Sequence, residues 1–164
     1  FSEVVKQAQD EGYTEPDPRD DLSGFDVLRK LVILIRETGK IIEPNEVEKE
    51  DLLSNNLLKL KTLDEFFKSL QEVDYNFEQK RSKAEKQGKK LKYIAEYKNG
   101  NARISVKSVG KESPFFELKS TDNMIVLRSN YYNNNPLIIK GPGAGIDVTA
   151  AGVFSDMIKI IDKL

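Results

Sequence analysis

The chain has 164 residues, with 26 lysines and arginines against 27 aspartates and glutamates, so its formal net charge is −1. It contains no cysteine and no histidine, which excludes disulfides, thiolate nucleophiles, imidazole metal ligands and a Ser-His-Asp triad. The near-zero charge argues against general nucleic-acid binding, and the longest apolar run, residues 31–35, is far too short to cross a membrane. This length predicts a single domain over residues 1–164.

The first elements are a helix and an acidic loop. Apolar residues recur at helical spacing over residues 1–11, which predicts a helix that Gly12 ends. Pro16 and Pro18 force the residues before them into extended geometry. We therefore expect residues 13–22 to form a stiff, exposed loop.

A second helix is predicted to begin at Ser23. Ser23 is a good N-cap, and Asp26 three residues later completes a capping-box pattern. Gly39 should end this helix. Apolar side chains surround it over residues 27–35, so we expect it to be buried on all sides. Residues 40–61 show no clear period.

A third helical stretch begins at the next capping box. Thr62 with Glu65 has the spacing of that motif. The amphipathic pattern continues to Gln87, with a break near Asp74, and Gly88 closes it.

From residue 89 the apolar period changes to that of strands. Residues 93–97 and 103–109 alternate, and the Asn99-Gly100 pair between them predicts a hairpin turn. Two more strands are expected at about residues 123–130 and 136–140, before a terminal helix. This order predicts an α+β fold, in which helices pack on one face of an antiparallel or mixed sheet of at least four strands.

Asp26 and Lys30 are the first candidates for chemistry. They are four residues apart, so they share one face at the start of the second helix. A lysine that enters a buried helix beside a carboxylate is placed to donate a proton or to polarise a carbonyl. The ordinary alternative is a helix-capping aspartate in a surface ion pair that contributes only about 0.3–0.5 kcal/mol. The spacing alone leaves both interpretations open.

The acidic loop is a second candidate. Its carboxylates are Glu15, Asp17, Asp20, Asp21 and Asp26. A calcium loop counted from Asp17 is excluded, because Arg19 falls where an oxygen ligand belongs and the turn glycine is missing. A looser magnesium site stays open, but the same residues would also hold the amino group of a small substrate. Arg19 can also pair within the loop with Asp17 or Asp21, and we assign no metal site.

A glycine-rich turn precedes the terminal helix. Residues 141–145 read G-P-G-A-G, which permits close approach of the backbone to a ligand. The turn does not match the dinucleotide motif G-x-G-x-x-G, because residue 146 is Ile146. Taken alone, it is more typical of a tight strand-to-helix connection.

Two long motifs resemble a known family. Residues 12–30, which read G-Y-T-E-P-D-P-R-D-D-L-S-G-F-D-V-L-R-K, resemble the signature of homoserine dehydrogenases at nearly every position. Residues 143–153, G-A-G-I-D-V-T-A-A-G-V, look like the C-terminal motif of the same family. The opening residues 1–10 are most similar to the form fused behind an aspartokinase.

The resemblance implies an activity and a catalytic pair. The family interconverts L-aspartate 4-semialdehyde and L-homoserine with NAD(P)H, on the route to threonine and methionine, as a cytoplasmic enzyme. By the same resemblance Lys30 is the proton donor or acceptor at the substrate oxygen, and Asp26 orients it. The chemistry agrees, because hydride transfer to an aldehyde builds negative charge on oxygen that a nearby ammonium stabilises.

The resemblance also implies the binding residues. Glu15 would hold the substrate amino group, and Tyr13 and Asp21 would shape that pocket. Gly145 and Thr149 would contact the nicotinamide end of the cofactor. These roles come from the matching motif positions and not from spacing.

In such enzymes an N-terminal Rossmann domain binds the dinucleotide and adds another lysine, and the resemblance places both outside these residues. We therefore expect this chain to be the catalytic and dimerisation region of a longer protein, to form a homodimer and to be inactive alone. A second hypothesis is a non-enzymatic amino-acid-binding or regulatory module that does not bind the cofactor.

Overall fold

The computed structural model describes residues 1–119, 122–143 and 145–161. They fall into two compact units, Phe1–Gly110 and Lys111–Leu164. The single domain predicted from the chain length stays a prediction. In the first unit the helices and strands are α1 (Ser2–Asp10), α2 (Pro18–Leu22), α3 (Phe25–Glu37), β1 (Glu48–Lys49), α4 (Asn55–Leu58), α5 (Leu63–Leu70), α6 (Asp74–Glu85), β2 (Lys90–Lys98) and β3 (Asn101–Val109). In the second they are β4 (Asp122–Leu127), β5 (Leu137–Pro142) and α7 (Ile146–Ile161).

The first helix and its end agree with the sequence. Gly12 follows α1 at φ +76°, a left-handed conformation that glycine adopts without steric cost. The prediction of one extended loop over residues 13–22 is wrong in its second half, which forms α2. Asp17 caps this helix by accepting the Arg19 N–H at 3.0 Å, and Pro18 occupies the first helical position. Proline there begins a helix because its missing N–H needs no partner.

The start of α3 differs from the sequence prediction. Its N-cap is Gly24, at φ +73°, and not Ser23. Ser23 ends α2 instead, and its hydroxyl accepts the Phe25 N–H at 3.2 Å. The predicted capping box of Ser23 and Asp26 is therefore wrong, because the short helix α2 uses Ser23 for its own end. The end of α3 is confirmed, since Gly39 follows it at φ +78°.

One side of α3 forms the first core of the molecule. The buried members of this core are Leu28, Leu31, Val32, Ile35, Ile42, Val47, Ala102 and Ile104. Ile33 and Leu34 are exposed, so the prediction of burial on all sides is wrong. The sheet covers only one face of the helix, and the opposite face keeps its apolar side chains in solvent.

A second core lies between helices. Its buried members are Val5, Leu53, Phe66 and Leu70. The predicted capping box is confirmed: Thr62 Oγ1 accepts the Glu65 N–H, and Glu65 accepts the Thr62 N–H, both at 3.2 Å. The predicted break is also confirmed, because a 3₁₀ turn at Gln71–Val73 separates α5 from α6.

The predicted sheet of at least four strands is wrong. The described strands form a three-stranded mixed sheet in the order β1-β3-β2 and a separate two-stranded sheet of β4 and β5. The hairpin of β2 and β3 is confirmed, with Asn99 and Gly100 both at positive φ. The short strand β1 pairs parallel with β3. Alternation identifies strands but not their partners, which explains the error, while the α+β class itself holds.

The second unit is built from a hairpin and a helix. β4 pairs antiparallel with β5, from Asp122 opposite Pro142 to Leu127 opposite Leu137. Residues 145–161 are all exposed, including every residue of α7. Within the described part of the chain, none of the helices has the length and apolar character needed to span a bilayer.

Candidate active site

The acidic loop folds back onto the first helix. The Tyr13 N–H donates to the Ala8 carbonyl at 2.9 Å, and Gln9 Nε2 donates to the Pro16 carbonyl at 3.2 Å. These bonds fix the path of the chain between α1 and α2. They leave the Tyr13 side chain largely exposed.

A hydrogen bond between a backbone N–H and a side chain brings Glu15 and Asp21 together. The Asp21 carboxylate accepts the Glu15 N–H at 2.9 Å across six residues. Asp21 therefore sets the backbone position from which the Glu15 side chain projects. Both residues are exposed, so the Glu15 carboxylate is accessible to a ligand.

Asp26 and Lys30 form the ion pair that their spacing suggests. The Asp26 Oδ2 lies 2.8 Å from the Lys30 Nζ, and the two side chains are 63% and 56% exposed. An exposed helix pair of this kind contributes only about 0.3–0.5 kcal/mol to stability. The geometry is equally compatible with an ammonium that is oriented by its carboxylate toward a ligand. The contribution to stability therefore does not decide between the two interpretations.

Arg19 holds the loop to the second core. Its side chain pairs with Asp17 and donates to the Leu60 carbonyl, and its guanidinium lies 5.9 Å from the centre of the Phe66 ring. The hydrogen bond from Arg19 lowers the pKa of Asp17. The expected pairing of Arg19 within the loop is thus confirmed for Asp17. Among the described residues, no group of three or more histidines, cysteines, aspartates or glutamates is arranged to hold a metal.

Two residues outside the loop contact the turn between α2 and α3. Lys49 Nζ donates to the Ser23 carbonyl at 2.8 Å. The Tyr93 hydroxyl lies 2.5 Å from the point where a Cβ on Gly24 would be. No pattern in the sequence predicts either contact, because Lys49 lies on a two-residue strand and Tyr93 matches an ordinary alternating core pattern.

The glycine-rich turn belongs to the second unit. Gly145 has φ +142°, and its carbonyl accepts the Thr149 N–H at 3.0 Å at the start of α7. Among the described residues, the nearest atom to a Cβ on Gly145 would be Val148 Cγ2 at 4.0 Å, which is ordinary contact. By contrast, a Cβ on Gly143 would lie 1.4 Å from Asn123 Nδ2, so a larger residue there would displace the Asn123 side chain. The described residues contain no βαβ unit of the kind that holds a dinucleotide.

Comparison with known proteins identifies relatives of this chain. The sequence model described as homoserine dehydrogenase matches residues 1–158. Bifunctional aspartokinase/homoserine dehydrogenase 2 of Escherichia coli is 44% identical over 165 residues, which cover all of this chain and 20% of that protein. The chain therefore spans about a fifth of this relative.

Solved structures agree with the sequence comparison. A crystal structure of a Candida auris protein of unknown function has a TM-score of 0.89 and 40% identity, covering 99% of this chain and 46% of that chain. A crystal structure of S. aureus homoserine dehydrogenase has a TM-score of 0.70 and 25% identity, covering 98% of this chain and 36% of that chain. The chain spans less than half of each.

Proposed function

This chain belongs to the homoserine dehydrogenase family, and we propose that it is the catalytic region of a longer protein that interconverts L-homoserine and L-aspartate 4-semialdehyde with NAD(P). The observation that carries the proposal is the arrangement of residues 13–30. Asp21 anchors the backbone of Glu15, and the next helix presents the Asp26–Lys30 pair to solvent. Homoserine has a positively charged amino group, which the Glu15 carboxylate complements. It also has a reacting oxygen on which negative charge develops, which the Lys30 ammonium complements.

Lys30 moves the proton. Oxidation of the substrate hydroxyl to an aldehyde removes one proton and one hydride, and the bound dinucleotide supplies the hydride acceptor. In its neutral amine form Lys30 takes the hydroxyl proton in this direction and becomes an ammonium. In the reverse direction that ammonium stabilises the charge that develops on oxygen and returns the proton. Asp26, at 2.8 Å, orients the Lys30 amine.

Glu15 binds the substrate amino group. A carboxylate and an ammonium form a charge-assisted hydrogen bond, which is shorter and stronger than a neutral one. Asp21 fixes the position of Glu15 through the backbone N–H, and Tyr13 contributes an exposed ring to the same loop. In the second unit, Gly145 and Thr149 would contact the nicotinamide end of the cofactor.

The exposure of this site supports the need for a further domain. Asp26 and Lys30 are more than half exposed, whereas hydride transfer requires a site from which water is excluded. A dinucleotide-binding domain elsewhere in the longer protein would cover these residues, so the 164-residue chain alone should not oxidise homoserine. We also propose a cytoplasmic homodimer that associates through the exposed apolar surface of the hairpin β4–β5.

An amino-acid-binding module without chemistry is the second candidate. It is favoured because both members of the Glu15–Asp21 hydrogen bond lie within this chain, whereas this chain would supply only part of the contacts with a cofactor. Such a module would bind homoserine or a similar amino acid and would leave the dinucleotide unchanged.

The test is steady-state kinetics of the complete protein with homoserine and NAD⁺ or NADP⁺, followed by the absorbance of the reduced dinucleotide. Glu15→Gln should raise the KM for homoserine more than it lowers kcat, and Asp26→Asn should mainly lower kcat. Glu37→Gln, a change of an exposed carboxylate at the end of α3, is the matched control. Homoserine binding without any dinucleotide reduction would reject the enzyme in favour of the binding module.

A further inference from the structure

The turn that joins α2 to α3 determines the position and orientation of the proposed catalytic pair, Asp26 and Lys30. It consists of Ser23 and Gly24, and Asp26 follows two residues later. An α-helix behaves as a rigid rod over its first turns, so a shift of this turn moves Asp26 and Lys30 with it. Gly24 is buried, which places the turn against the rest of the first unit.

Lys49 holds the Ser23 side of the turn. Its Nζ donates to the Ser23 carbonyl at 2.8 Å and also pairs with the Asp51 carboxylate. The Lys49 side chain is only 16% exposed, and its Nζ lies 5.5 Å from the centre of the Phe25 ring. A charged donor that is largely shielded from water makes a stronger hydrogen bond than an exposed one.

Tyr93 holds the Gly24 side of the turn. Its hydroxyl occupies the space beside Gly24, where an added Cβ would lie at 2.5 Å, and it donates to the Glu50 carbonyl at 3.4 Å. Burial, with the nearby carboxylates of Asp51 and Glu50, raises the pKa of Tyr93, which keeps the hydroxyl protonated. The turn is therefore fitted against this hydroxyl.

We propose that Lys49 and Tyr93 are positioning residues for the reaction, which act through Ser23 and Gly24 to hold the catalytic helix α3. Both come from strands that lie outside the motif carrying the assigned site residues, Lys49 from β1 and Tyr93 from β2. The inference rests on the proposed function, because it assigns a consequence to the placement of Asp26 and Lys30.

The first test uses two variants of the complete protein that each remove one polar group. Lys49→Met keeps the aliphatic stem and loses the donor, while Tyr93→Phe keeps the ring and loses the hydroxyl. Each should lower kcat for homoserine oxidation by between about 5-fold and 100-fold, because small displacements of catalytic groups are costly. The KM for the dinucleotide should stay unchanged. Lys49→Arg retains a donor and should stay within about twofold of the parent.

Two matched controls lie in the same sheet. Tyr97→Phe changes a tyrosine four residues further along β2 that packs against the same core. Lys107→Met removes a lysine on β3 that pairs with Glu96 at 2.6 Å. Both should leave kcat within about twofold of the parent.

A second test asks whether Tyr93 acts through Gly24. Gly24→Ala places a Cβ against the Tyr93 hydroxyl and also strains the backbone at φ +73°, so kcat should fall. The strain stays when Tyr93→Phe is added, so that comparison isolates the clash. Without that hydroxyl the nearest Tyr93 atom to the new Cβ is Cζ at 3.5 Å, which is ordinary contact. Combining Gly24→Ala with Tyr93→Phe should therefore recover kcat at least about threefold over Gly24→Ala alone, a non-additive result expected for groups in contact.

The outcomes separate this inference from the proposed function. An active parent whose Lys49→Met and Tyr93→Phe variants stay within about twofold in kcat overturns the positioning role only. A loss of kcat that merely follows a loss of folded protein, measured by circular dichroism at the assay temperature, also overturns it. A parent without homoserine-dependent activity overturns both the proposed function and this inference.

Discussion

Phe66 and Phe154 show how differently the two units of the chain are built. Phe66, on α5 in the first unit, is fully buried at 0% exposure between helices. Phe154, on α7 in the second unit, is 65% exposed and has apolar, exposed neighbours along the same helix. The same side chain therefore stabilises the first unit by burial and adds apolar surface to the second.

This difference suggests a division of labour. The first unit has two buried cores, and the segment that carries Glu15 and Lys30 is held to the rest of this unit by the hydrogen bonds of Arg19 with Leu60 and of Lys49 with Ser23. In the second unit both the helix and β5 expose aliphatic side chains. Large apolar patches on a surface mark sites of association. We infer that the first unit positions the chemistry and that the second provides surface for assembly.

The largest stability effect should separate the two phenylalanines. Phe66→Ala should lower the free energy of unfolding by about 3–5 kcal/mol, because it leaves a cavity in a closed core. Phe154→Ala should lower it by less than about 0.5 kcal/mol in the same chain, because the side chain is already in solvent. Urea denaturation followed by circular dichroism measures both. Equal losses would show that α7 is packed as tightly as α5.

Self-association tests the other side of the comparison. Ile139 is an exposed aliphatic residue of β5, and Ile139→Lys should weaken the proposed dimer at least tenfold, or about 1.4 kcal/mol, because a charge would be placed in an apolar interface. Val4→Lys makes the same kind of change at an exposed position of α1 and is the control. Sedimentation velocity of the complete protein gives the association state, and a parent that is monomeric at micromolar concentration would refute the dimer.

A smaller effect tests the anchoring of the acidic loop. Asp17→Ala should cost about 1 kcal/mol at neutral pH, because it removes the N-cap of α2 and the partner of Arg19. The pKa of Asp17 is lower in the folded chain than its ordinary value, so this contribution is complete above about pH 4 and is lost as pH falls through the folded pKa. The stabilities of parent and variant should therefore converge in acid. A stability difference between parent and variant that does not depend on pH would show that the ion pair of Asp17 with Arg19 makes no contribution.

Some local signals in the sequence predict the structure correctly, although the local Ser23–Asp26 pattern does not, and the pairing of distant strands is not predicted. The Thr62–Glu65 capping box and the Asn99-Gly100 turn are fixed by residues a few positions apart, so their chemistry is visible in the sequence. The pairing of strands depends on which edges meet in space, and alternation carries no such information. Strand β1 has only two residues, too few for any period to be detected.

The candidate site divides in the same way. The motif over residues 12–30 places Glu15, Asp26 and Lys30, which are proposed site residues, on one continuous segment. The Asp26–Lys30 pair follows from helix geometry alone. The bond from the Glu15 N–H to Asp21 depends on the fold of the loop. The contacts of Lys49 and Tyr93 with the turn arise only when distant strands pack against it, so no local pattern predicts them.

The most direct test of the central claim is the effect of Lys30→Ala on kcat for homoserine oxidation by the complete protein. If Lys30 transfers the proton, kcat should fall by roughly 10²- to 10⁴-fold, the usual range for a positioned acid or base. Lys40→Ala, a change of an exposed lysine just after α3, is the control and should have little effect. Circular dichroism should be used to check that both variants are folded. A folded Lys30→Ala protein with kcat within about threefold of the parent would contradict the account, because the pair would then be only a surface ion pair.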